Sequence, residues 1–247
     1  MEPREETKNT ETGSPFLKLF IEPSAGFRLL LDRPRFFGVT VFIAILTIAL
    51  SASIIETVGF ENMIEQRVNE SRQFADMPPD KRQELVAMQS GPLMKVLAIG
   101  SGGIASVAII FLGGLYYWFS MTALGSKVRF PHGVAVWAYS SVPPLILVTI
   151  ANLVVLALKP VEDMDLALDS AGVLVKANPT IFLAADSSPA VLALVSSLDF
   201  FSLMGWVLAV IGIKTVGKLS GATALGIVGL MALFGIAARV VIAAFVG

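Results

Sequence analysis

Three strongly polar residues, Asn152, Asp199 and Arg239, stand inside or at the edges of long uncharged runs. Asp199 and Arg239 are equidistant from Leu219, which lies in the short stretch between Gly217 and Gly221. In an antiparallel hairpin folded there, they reach equal depth. An isolated ionised side chain at bilayer depth costs about 2.5–3.5 kcal/mol on insertion scales, so an interhelical ion pair is expected, the alternative being that both side chains snorkel to the interface. Asn152, in the middle of an apolar run, suits a hydrogen bond between helices better than a substrate contact. His132, the single histidine, reads beside Pro131 as a solvated or capping residue. With no second histidine and no carboxylate at ligand spacing, it makes no zinc site. Gly100-Ser101-Gly102-Gly103 lacks the Lys-Ser/Thr that follows a phosphate cradle and lies inside an apolar run. The chain has no cysteine, no Ser–His pair, no paired-aspartate site and no His-Glu-x-x-His. The expectation is therefore no catalytic residue, metal or cofactor, and no enzyme.

The elements that must position these residues are membrane spans. A hydrophobic fraction of 55%, 15% charged residues and a mean hydropathy of +0.77 lie far from a soluble domain. A net charge of −1 gives no bulk attraction to nucleic acid. The expected fold class is an all-α integral membrane protein, a five-transmembrane-helix bundle with short amphipathic interfacial helices. Spans are expected at about 36–55, 95–122, 143–158, 199–216 and 222–246 in a membrane domain covering 15–247. Residues 1–14 read as a disordered polar tail, too charged for a secretory signal, so the first span directs insertion.

Residues 15–35 mix Phe16, Leu17, Phe20 and Phe27 with Lys18, Arg28, Arg33 and Arg35, which suits a segment lying in the interface plane. Phe60, Met63, Ile64 and Val68 give an amphipathic surface helix, and a second runs from Asp80 through Met88. Pro131 to Ser141 reads as a short surface helix, with Pro143-Pro144 turning the chain into the third span. Small residues share faces that let another helix approach: Ala98, Gly102, Ser106 and Gly114 on the second span, Gly205, Ala209 and Gly212 on the fourth. Tyr116, Tyr117 and Trp118 belong near headgroups.

Lys and Arg counts orient the bundle. Lys127, Arg129, Lys214 and Lys218 occupy two connections without acids, and the N-terminal cations lie beside the first span. The alternate connections carry Glu56, Glu61, Glu65, Glu70, Asp76, Asp80 and Glu84, and then Glu162, Asp163, Asp165, Asp169 and Asp186, which read as solvated faces. The N-terminus is expected in the cytoplasm and the C-terminus outside, in a cell membrane, most simply a bacterial inner membrane.

Four stretches resemble the Yip-one domain family, the Ypt/Rab-interacting multi-span membrane proteins, in the form common in bacteria. They are FIEPSAGFRLLLDRPRFFG, AYSSVPPL (Ala138 to Leu145, with Tyr139 and Pro143), SLDFFSLMGWVLAVIGI (with Asp199 and Phe201) and GKLSGATAL. One position departs: the family's tryptophan would fall at Met204, whereas Trp206 comes two residues later, about 200° round a helix. Eukaryotic relatives act in vesicle traffic and contact Rab GTPases. The resemblance implies a membrane scaffold or adaptor that touches lipids, other integral membrane proteins or copies of itself, with GTPase contact by family analogy. The alternative is a transporter or channel subunit, although few polar residues lie inside spans and five spans give no inverted repeat.

Overall fold

The computed structural model describes residues 15–70, 74, 76–161, 164, 174–175, 177–184 and 187–246. The 1–14 tail and Glu162, Asp163, Asp165, Asp169 and Asp186 lie outside them. Every regular element among the described residues is helical: α1 (Pro15–Ile21), α2 (Pro23–Arg28), α3 (Phe37–Val58), α4 (Phe60–Glu70), α5 (Pro79–Gln89), α6 (Pro92–Ala123), α7 (Phe130–Leu158), α8 (Pro189–Ser196), α9 (Phe200–Gly217) and α10 (Gly221–Val246), with a 3-10 turn at Pro179–Phe182. Helices α3, α6, α7, α9 and α10 are long and apolar enough to cross a membrane.

The third span corrects the sequence reading. Residues 131–141 are not a surface helix, and Pro143-Pro144 makes no turn: α7 is one helix with both prolines inside it. A proline in a helix interior removes a hydrogen bond and costs about 3 kcal/mol in water. In lipid, breaking the helix would strip further backbone groups of partners, so continuing it is the better solution. Packing compensates as well. The first half of α7 is the most buried part of the chain, with Val134, Ala135, Val136, Ala138 and Val142 fully enclosed among α3, α6 and α9.

That enclosure requires close helix approach. A Cβ on Gly133 would lie 2.2 Å from the Gly114 carbonyl oxygen, and one on Gly114 would lie 2.5 Å from the Val134 Cα. Both obstacles are backbone, which cannot move aside. Nearby, the Trp137 ring fills the space over Gly113 and packs on Tyr117 with centroids 4.9 Å apart. Tyr117 is thus a core residue rather than a headgroup anchor, and Tyr116 donates its hydroxyl proton to the Ile227 carbonyl at 2.9 Å. The small residues of α6 are likewise used within the chain, Gly102 against Thr47 and Ser51 of α3 and Gly114 against α7.

The entry segment divides its apolar residues between the bundle core and the outside. Leu19, Phe27 and Leu30 point into the bundle core, while Leu17, Phe20 and Ile21 stay exposed. At the opposite end, Ile64, Val68 and Val86 bring α4 and α5 together, and Lys95 pairs with Glu56 at 2.8 Å.

Gly133→Ala is expected to destabilise detergent-solubilised protein by about 3 kcal/mol, the upper end of overpacking penalties. Gly100→Ala, whose added Cβ meets nothing within 4 Å, leaves stability unchanged. Denaturant unfolding of the two variants checks both outcomes.

Candidate functional site: a basic platform and a serine-lined cleft

The two ends of the bundle are built differently. At one, loops and helix termini are tied together through side chains. His132 is buried rather than solvated. Its Nδ1 accepts from the Arg129 amide at 3.2 Å, and in the tautomer protonated at Nε2 it donates to the Leu31 carbonyl at 3.0 Å. The imidazole therefore fastens the segment after α2 to the start of α7. Ser126, between α6 and α7, donates to the Gly217 carbonyl at 2.6 Å. Phe27 fills the notch over Gly212, where an added Cβ would meet its ring at 2.8 Å and Val136 at 2.9 Å, so α2 docks against α9 and α7. Lys218 ends α9 in the left-handed conformation (φ 53°), which lets the chain reverse at once into α10. On this braced surface Arg33, Arg35, Lys127, Arg129, Lys214 and Lys218 are exposed, and Arg28 pairs with Glu22 at 3.0 Å. None of the loop fasteners has a sequence signature. The basic turns themselves were visible as charge.

The other half opens between α10 and the α3–α6 face. α10 packs chiefly on α8 and α9, and Tyr116 meets it near its start. Beyond that contact lies a cleft of about 580 Å³ whose lining includes Ile43, Ile110, Trp137, Leu145, Trp206 and Ile236. Its polar lining is largely committed within the protein. Ser140 and Ser141 both donate to the Trp137 carbonyl, Ser106 to Gly103, Thr47 to Ile43 and Ser197 to Ala193. With their protons given to their own helices, these hydroxyls offer no donors to the cleft.

The sequence-predicted residues fall around this cleft without forming the expected pair. Asp199 is the N-cap of α9, its Oδ1 accepting from Phe201 N at 2.9 Å and Ser202 N at 3.0 Å. Among the described residues it makes no ion pair with Arg239, which lines the cleft and is exposed. The helix terminus, with its unsatisfied amides, is the nearer partner for the carboxylate. Phe201 lines the cleft with Gly205 and Trp206, whereas Tyr139, Pro143 and Ala209 are buried beside it and Met204 is half-buried. Ala98 is half-buried on α6. Asn152 is fully buried, and its Oδ1 accepts from the Leu174 amide at 2.6 Å, pinning the segment that follows α7.

Five apolar spanning helices and short flanking helices define a multi-pass, all-helical membrane protein. The Yip1 domain matches residues 17–242, nearly the whole length, and the chain belongs to that family. No curated protein and no solved structure matches the chain.

Asp199→Ala is expected to lower stability by about 1 kcal/mol through loss of the cap, and Asp199→Asn to retain most of it. Exchanging the charges (Asp199→Arg with Arg239→Asp) gives no recovery. Folded yield and thermal unfolding in detergent read these outcomes, and recovery by the exchange would restore the ion-pair assignment.

Proposed function

We propose that the protein is a Yip-type membrane scaffold or adaptor, not an enzyme, which presents its basic end to an acidic protein surface in the cytoplasm. The observation that carries this reading is the bracing of that end. The His132–Leu31 and Ser126–Gly217 hydrogen bonds and the Phe27–Gly212 contact hold cations from three separate segments in one fixed arrangement. A rigid charge array loses less freedom on docking than mobile loops would, and opposite charge steers the approach of a partner. GTPase contact, a family trait, fits the same face by analogy. The orientation that follows has the N-terminus in the cytoplasm and the C-terminus outside, in a bacterial inner membrane. The small-residue faces of α6 and α9 supply internal packing, so association with other proteins is assigned to this charged end instead.

A photo-crosslinking residue at Lys127 or Lys218 in native membranes is expected to capture a discrete protein partner, and one at exposed Met88 on α5 is not. Charge reversal at Arg33, Lys127 and Lys218 together abolishes capture. Solute flux in liposomes holding the purified protein alone would overturn the reading, as would reporters placing both termini on one side.

A further inference from the structure

The cleft and the residue at its rim have opposite chemistry. Arg239 is the one charged residue that lines it, and among the described residues no carboxylate pairs with it; Asp199, the partner expected from the sequence, caps α9 instead. Arg239 lies about 27 Å along α10 from Gly221 at the basic end, which brings it to the opposite headgroup level of a hydrocarbon layer about 30 Å thick. From there the cleft runs along α10 to Val228, about 16 Å at ~1.5 Å per residue, and ends against Tyr117 and Trp137. Its entrance lies on the outside of the bundle, where two of its lining residues, Ile109 of α6 (54% exposed) and Arg239 of α10, are exposed.

We propose that the cleft seats one acyl chain of an anionic phospholipid, whose phosphate rests on the Arg239 guanidinium. Three features select this occupant. The sign of the charge calls for an anion, and a guanidinium matches phosphate with paired N–H donors. Five of the wall's hydroxyls, on Thr47, Ser106, Ser140, Ser141 and Ser197, have already given their protons to backbone carbonyls, so a polar solute gains little from them while a hydrocarbon chain is not penalised. The volume of about 580 Å³ falls within the range of single-ligand sites, roughly 300–1,000 Å³. The second acyl chain stays in the bilayer beside α10. This site lies at the end opposite the basic platform and does not depend on the scaffold reading.

Trp137 and Trp206 line the cleft and report on it directly. The full-length protein, with Trp118→Phe, is reconstituted in phosphatidylcholine vesicles containing a minor fraction of phosphatidylglycerol brominated on its acyl chains. Tryptophan quenching is expected to exceed, several-fold, that from the same fraction of brominated phosphatidylcholine. Arg239→Gln removes the excess by removing headgroup selectivity. Gly235→Leu removes it by filling the cleft, and the new side chain has room, since a Cβ there meets nothing within 4 Å. Lys218→Gln, at the other end, leaves the excess intact. Should either cleft variant fail to insert, the other decides. Equal quenching by the two lipids, or an excess that survives Arg239→Gln or Gly235→Leu, overturns the assignment.

Discussion

Where α6 crosses α7, glycine stands on both helices and their backbones come within van der Waals reach at Gly114 and Gly133. In a bilayer, lipid tails are as apolar as the side chains, so helices associate by the fit of their surfaces rather than by escaping water. This crossing is where that fit is tightest, and much else follows from it. It draws the first half of α7 into the middle of the bundle, sets Trp137 against Tyr117, and gives α3 and α9 a common surface to pack on. The prolines at 143 and 144 then fall inside a helix already held on several sides, where two missing amide donors are tolerable.

The spans were legible because their signal is length and apolarity, which lipid demands of any helix crossing it. The interior was less so, since the cues involved have two meanings. Pro143-Pro144 means a turn in water and an interruption of hydrogen bonding in a packed membrane helix. Tyr117 is as suitable for a core as for an interface, and only the neighbouring glycine on α6 decides which. A lone histidine next to proline gives no hint that Leu31, far away in the chain, presents a carbonyl to it. Equal spacing from the turn says nothing of where a helix begins, and the Asp199 carboxylate at the start of α9 has two amides closer than any arginine. The cleft left no sequence trace, because it is a gap between helices and its lining is drawn from five of them.

The bundle is therefore asymmetric along its axis. One end is consolidated by α1 and α2 and by hydrogen bonds between turns. The other is looser, with α10 resting mainly on α8 and α9, and with the Asn152–Leu174 bond holding a connecting segment in place. Rigidity sits where the cations are, and open volume sits where the hydrocarbon of the bilayer can enter.

The seating of Phe27 over Gly212 joins the beginning of the chain to a helix synthesised almost last. During translation, α2 emerges long before its receptor surface exists, so its apolar side must remain undocked while three spans are inserted. Arrival of α9 closes a long-range contact, and with it α2 gains its seat. Completion of the membrane domain is thereby signalled at the opposite end of the polypeptide, and a truncated product lacking α9 would leave Phe27 uncovered for quality control to find.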